Sequence, residues 1–290
     1  MGSLLASSVI SKAKTIIQDT TNIRWQDAEH LNFLNDGQRE VAMLRPDSTS
    51  RLAVMQMVAG TKQTIPSDGI AILKVIRNMG ANGTTPGQAI RLIPMDTLDS
   101  NVPAWHSSTA AATTLHYMTD QRMPHNFYVY PQANGSTWAE ILYACAPIDI
   151  PSITQGSGTY TQAASTITVN LTAHGYQVGS WVRFSATTGV GVSGVYQVQT
   201  VPTTGSFTLT SSTSQTVASS NCTVDACLSV DDVFAGPLID YVLFRAYAKD
   251  QDLAGNADRA VAHRKLFETV MAGKAQADSV IKPSQVNIKG

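Results

Sequence analysis

Between residues 25 and 45 apolar side chains recur at three- and four-residue intervals, the period of an α-helix with one buried side. At about 100° per residue, Leu31, Phe33, Leu34, Val41, Ala42 and Leu44 fall in one arc of about 180° that also holds His30. Glu29, Asn32, Asp36, Arg39 and Glu40 lie opposite. Asp27 and Glu29 suit a first turn, where acids complement the positive end of the helix. The same period predicts helices over 3–18, 231–252 and 256–277, with Gly255-Asn256 as the stop and restart between the last two. Pro237 fixes either the start of its helix or a bend in it. Strands are predicted over 52–58, 62–65, 70–78, 126–130 and 138–144.

From 154 to 224 the pattern changes to alternation. "STITVNL", "SWVRFSA", "GVYQVQTV" and "SFTLTSS" are β-branched runs separated by Gly, Pro and Thr-Gly turns, which predicts about five to seven short strands in a barrel or sandwich. Arg183 is the sole charged side chain in that stretch, so composition breaks where the pattern does. The predicted fold class is α+β: a bundle of about four helices with a small antiparallel β region, plus an inserted all-β module. The boundaries expected are 1–152 with 228–290 for a discontinuous host domain and 153–227 for the insertion at a loop tip. After Ala277 the helical period fades, and 278–290 reads either as a frayed tail or as an extended arm that orders on a partner.

Composition narrows the function classes. Charged residues make up 14% and hydrophobic ones 43%, which excludes disorder and leaves a surface built largely from neutral polar side chains. A formal net charge of −1 supplies no general attraction for nucleic acid or anionic lipid. Lys12 and Lys14 interrupt the place where a leader's apolar run would stand, and no stretch is long and apolar enough for a membrane span, so a soluble chain without membrane partners is expected. Cys145, Cys222 and Cys227 lack paired metal or redox spacing and read as small buried side chains.

The chemistry motifs do not converge on a site. Asp27 and His30 have the three-residue spacing of a metal-biting pair, but a di-iron bundle needs a second such pair on a facing helix, and His263 has no acid correspondingly placed before it. His30 therefore reads as a satisfied core histidine. Gly189, Gly191 and Gly194 spell G-x-G-x-x-G ahead of a strand, where dinucleotide binding requires a helix. Phe127, Tyr128 and Tyr130, with Tyr241, Phe244 and Tyr247, suit a strand and a helix packing on each other better than a base-stacking platform, which would want interleaved cations. No catalytic, metal or cofactor residues are assigned, and the expectation is a non-enzyme; a hydrolase is the residual alternative, since triads assemble in space.

Taken together, "RWQDAEHLNFLNDGQREVAMLRPD", "VAGTKQTIPSDGIAILKVIRNMG", "FYVYPQ", "AEILYACAP" and "DDVFAGPLIDYVLFRAYAKD" resemble the head-to-tail adaptor (connector) proteins of short-tailed bacteriophages. The segment from His174 to Phe184 with the two strands after it is similar to a small β-barrel module of phage structural proteins. The resemblance implies a virion neck protein made in the host cytoplasm. It implies a self-assembled ring, typically dodecameric, joining the portal protein to the tail nozzle or tail tube, with DNA passing through its lumen. By position rather than by motif, it implies a portal-docking arm with Val280, Ile281, Lys282, Pro283, Val286, Ile288 and Lys289. Asp36, Arg39 and Glu40 are left to meet solvent or a neighbouring subunit. The alternative is a surface-recognition or fibre-anchoring module acting through the β insert.

Overall fold

The computed structural model describes residues 2–250, 252 and 254–281. It is α+β, with five α-helices where about four were expected. Packing forms two compact units: the chain up to Arg45 together with everything from Pro147, and Pro46–Ala146.

Helix α1 (Ala6–Ile17) buries Ala6, Val9, Ile10 and Ala13 and stops at Gln18, whose left-handed backbone (φ 64) lets its N–H reach Lys14 O and Thr15 O. Helix α2 (Asp27–Leu44) buries His30, Leu34, Asn35, Gly37, Gln38, Val41 and Ala42. Its buried side is thus turned from the arc drawn on apolar residues alone: two carboxamides lie inside it, Leu31 and Phe33 are half-buried, and Leu44, the last helical residue, is 48% exposed beyond the packed surface. Gly37 is required by close approach, since a Cβ there would meet Tyr241 Cδ1 at 2.8 Å.

The second unit is a pair of packed sheets. Strands β1 (Ser50–Gln56), β2 (Gly60–Thr64), β3 (Gly69–Asn78) and β4 (Arg91–Leu92) are followed by α3 (Met95–Asn101), β5 (His116–Thr119), β6 (Asn126–Ala133) and β7 (Trp138–Cys145). The sheets run β1-β7-β3 and β2-β6-β5-β4, antiparallel except for β4 with β5. Between them Val75, Ile141 and Tyr143 meet Tyr117, Phe127 and Val129. Asn78 is a polar clamp: its amide donates to Gln88 O at 2.9 Å and Thr114 O at 2.8 Å, and its oxygen accepts from Thr114 N at 2.9 Å. Helix α3 has no counterpart in the periodicity, because Leu98 is its one buried residue; Trp105, fixed by Nε1–H donating to Asp99 at 2.8 Å, joins Leu98 in covering Met118.

The chain then returns to the first unit. Strands β8 (Gly156–Ala163), β9 (Thr166–Asn170), β10 (Trp181–Ala186), β11 (Gly194–Thr203), β12 (Ser206–Thr210) and β13 (Val217–Ala226) close into a six-stranded barrel, ordered β10-β11-β12-β9-β8-β13. Inward positions alternate as a strand demands, filling the interior with Tyr160, Ile167, Val169, Val182, Phe184, Phe207 and Leu209. The Tyr160 hydroxyl donates to Thr188 O at 3.0 Å and accepts from Gly191 N at 2.9 Å. That is why Gly191 is glycine: a Cβ there would lie 2.5 Å from the same hydroxyl.

Helix α4 (Ala235–Lys249) follows a short 3₁₀ turn and carries Pro237 in its first turn, so the helix begins there. Helix α5 (Asn256–Ile281) continues four residues beyond the expected end at Ala277. The helices and the barrel share one core cluster, from Val9, Leu34, Leu238 and Phe267 through Tyr160 and Phe207. The first residues are threaded into that unit. Asp232 accepts from Ser3 N at 2.7 Å and Leu4 N at 2.8 Å, Leu4 O accepts from Leu228 N at 3.0 Å, and Gly2 lies so close that a Cβ would meet Leu228 O at 2.1 Å. Burial acts to raise the Asp232 pKa, but the Ser3 hydroxyl and the two backbone N–H groups outweigh it and hold the carboxyl below its ordinary value.

Two buried carboxamides tie α2 to the segments entering and leaving the barrel. Asn35 donates to Ile150 O at 3.2 Å and accepts from Ile150 N at 3.0 Å, while Gln38 accepts from Ser229 N at 2.7 Å. Asn35→Ala leaves a buried N–H and C=O of Ile150 unbonded, so it is expected to lower unfolding free energy by about 1–3 kcal/mol in urea melts. Phe207→Ala, at 0% exposure in the barrel, is expected to cost about 3–5 kcal/mol in the same measurement.

Candidate interaction surfaces

No group of three or more metal-binding side chains is found among the described residues. All three cysteines are buried free thiols. Burial pushes Cys222 and Cys227 up to about 11 and raises Cys145. A thiol held protonated in this way is a poor nucleophile, so these side chains act as packing. Gly189, Gly191 and Gly194 belong to the turn and strand edge beside Tyr160, with strand β11 rather than a helix after them. The two aromatic groups belong to separate core clusters. Phe127, Tyr128 and Tyr130 serve the two clusters of the sheet unit, whereas Tyr241, Phe244 and Tyr247 serve the helical core, where Tyr241 meets Phe267 edge-on at 5.4 Å.

Asp36, Arg39 and Glu40 stand in a band of ion pairs across α2, α4 and α5. Arg39 holds Asp36 at 3.0 Å and also pairs with Asp149; Arg245 reaches Asp36 at 3.6 Å; Arg264 holds Glu40 and Glu268, each at 2.6 Å. The guanidiniums lie over aromatic rings as well, Arg245 at 5.6 Å from Phe33 and Arg264 at 5.5 Å from Phe244. Each exposed pair is worth little alone, about 0–1 kcal/mol. The effect is orientation: long cationic side chains are laid flat along the helices instead of projecting.

Beside this band α2 and α4 leave an open groove of about 440 Å³ lined by Glu29, Asn32, Phe33, Phe244, Arg245, Ala248 and Lys249. On α5, Leu266 and Val270 are half exposed, at 50% and 45%, although the opposite side of that helix is packed through Ala260, Phe267 and Met271. Of the residues expected in the C-terminal arm, Val280 and Ile281 stand on α5; Lys282, Pro283, Val286, Ile288 and Lys289 lie outside the described residues.

His30 is fully buried, as expected, but neither ring nitrogen has a hydrogen-bond partner among the described residues. Burial first, then the Lys14 charge, holds its pKa below the ordinary value, so it is kept neutral. The surrounding corner is highly constructed. Asp19 accepts the backbone N–H groups of Ile23, Arg24 and Trp25, each at 2.9 Å, and its carboxyl is held below the usual range chiefly by the Trp25 bond. Asp27 accepts from Lys14 Nζ at 2.9 Å and from Asn22 Nδ2 at 3.0 Å. Apolar periodicity placed His30 inside but carried no signal for this surrounding set, whose members come from α1, a loop and α2.

Comparison with curated proteins gives no match. A family model does match, over residues 5–161, from the start of α1 through the whole sheet unit and into β8. The matching model is described as the SU10 adaptor protein, it covers more than half of the chain, and the chain belongs to that family of bacteriophage adaptors, which are structural proteins of the virion.

Proposed function

We propose that this chain forms a dodecameric ring in the neck of the virion, joining portal to tail nozzle and surrounding the path of the DNA. Family membership over residues 5–161 carries the reading. Two features of the helical unit support it. The groove between α2 and α4, which carries Phe33, Phe244 and Ala248 among charged neighbours, and the half-exposed Leu266 and Val270 of α5 are different surfaces of one unit. A contact between unlike surfaces of identical copies is heterologous, and it closes into a ring when the rotation per copy divides the circle. In this reading α5 of one copy enters the α2–α4 groove of the next, the ion-paired Asp36, Arg39 and Glu40 border that contact, and residues 278–290 dock on the portal. The barrel is an insertion in the adaptor framework.

A second reading gives the barrel a recognition role, for a tail fibre or a glycan. Its outer surface favours this in one respect: neighbouring hydroxyls pair across exposed strands, Thr200 with Thr208 at 2.7 Å and Thr203 with Ser206 at 2.8 Å, on a barrel whose charged residues are Arg183 and Asp225. Because the barrel shares its core with the helices, it is tested by surface substitution rather than by excision.

Electron microscopy of the purified chain with purified portal protein is expected to show rings of one rotational order seated on the portal, and a chain that stays monomeric beside portal sinks the reading. Leu266→Glu and Val270→Glu should alter folding stability by no more than about 0.5 kcal/mol yet abolish rings, with loss read by analytical ultracentrifugation. Thr200→Lys with Thr208→Lys should leave rings intact; particles that then lose host attachment would establish the recognition role.

A further inference from the structure

The corner between α1 and α2 contains an arrangement that the adaptor reading does not use. A neutral imidazole always carries one N–H donor and one lone-pair acceptor, and in His30 both are buried without partners. The charged groups around the ring are Lys14 from α1, Asp19 from the connecting loop, and Asp27 and Glu29 from α2. Helix α4, packed against both helices, sends Lys249 to Glu29.

Each of those three carboxylates already has a structural task. Asp27 holds Lys14 and Asn22, Asp19 holds the three backbone N–H groups of the loop, and Glu29 holds Lys249. A protonated His30 would present two N–H donors and a positive charge in a solvent-excluded place beside the Lys14 ammonium. A carboxylate that turned to bond it would leave the contacts that build the corner. Proton uptake and the closed corner therefore oppose each other.

We infer that this corner is a proton-operated latch: in mild acid, protonation of His30 releases the loop of residues 18–26 from its carboxylate anchors while the barrel and the sheet unit remain folded. The loop is positioned to report such a change outward. Ile23 stands at 88% exposure on it, and Arg24 links it to Asp250 of the segment after α4. The sign follows from the depressed pKa. The neutral form stabilises the folded corner above the ordinary value of 6.5, and this contribution is lost as pH falls below it, where the open form takes up the proton more readily.

Hydrogen–deuterium exchange of the full-length chain, corrected for the intrinsic pH dependence of exchange, tests the latch. Between about pH 8 and about pH 5.5, amides of residues 18–30 should lose protection severalfold, towards a ceiling of roughly tenfold set by an imidazole that titrates at its ordinary 6.5 in the open form. Amides of 156–226 should not change. His30→Gln and His30→Phe cannot titrate and should abolish the response, whereas His263→Gln should preserve it. Unchanged protection in the wild type, or the same acid response in both His30 variants, overturns the latch. Should both variants fail to fold, the His30 ring protons of the wild type are followed by NMR: a midpoint coinciding with that of the 18–30 amides supports the inference, and a different midpoint overturns it. None of these outcomes depends on ring formation, so the latch and the adaptor reading can fail separately.

Discussion

The first unit depends on two buried carboxamides more than on any single apolar contact. Asn35 bonds both the N–H and the C=O of Ile150, and Gln38 accepts from Ser229. Residues 150 and 229 lie on the two segments that connect the barrel to the rest of the chain, so α2 holds both ends of the barrel at once. Hydrophobic burial is non-directional and would let a barrel slide over a helix. Paired hydrogen bonds to a fixed residue do not, because a shift of one residue would leave buried backbone groups unbonded. Ser229 Oγ donating to Ile148 O at 2.7 Å closes the link between the two segments themselves. The shared core from Val9 to Phe207 then packs around a fixed register.

That dependence explains which parts of the fold were legible beforehand. The four long helices and four of the six barrel strands, β9 to β12, were readable from local sequence pattern, which one-sided burial writes most clearly into α1, α2 and the strands. His30, Leu34, Val41 and Ala42 of α2 are buried as the period placed them, but Asn35 and Gln38 were missed because they are polar by type and interior by position. No hydropathy pattern reveals a carboxamide whose partners lie 115 and 191 residues away. Helix α3 escaped for the opposite reason: with Leu98 alone buried, its nearly two turns hold no recurring apolar position. The composition break near Thr154 marks where the surface becomes neutral and hydroxyl-rich. Compact packing instead divides the chain at Pro46 and Pro147, since shared core, not surface chemistry, decides which segments cohere.

The candidate surfaces were legible to a similar degree. The charged side of α2 was evident from the wheel, and so was the inward direction of His30. What the sequence withheld was pairing. Arg245 and Arg264 reach Asp36 and Glu40 from helices some two hundred residues later, and Lys14 and Asn22 meet Asp27 only after the chain turns at Gln18. Lack of partners is equally invisible to a pattern. That both nitrogens of His30 lack partners among the described residues is a property of the assembled corner.

Internal pairing of the band on α2, α4 and α5 bears on how such a face enters an interface. An unpaired charge taken out of water at a contact costs several kcal/mol, and a flexible Lys or Arg adds the entropy of being fixed. Here Arg39, Arg245 and Arg264 are already neutralised by Asp36, Asp149, Glu40 and Glu268, and two of them lie along aromatic rings. A face arranged in this way covers or uncovers without creating an isolated charge, and its side chains give up little further freedom when covered. Such pairing lowers the penalty of association while adding little attraction, so affinity must come from apolar contact. Phe33, Phe244 and Ala248 in the groove, and Leu266 and Val270 on α5, are apolar side chains beside the band that can supply it.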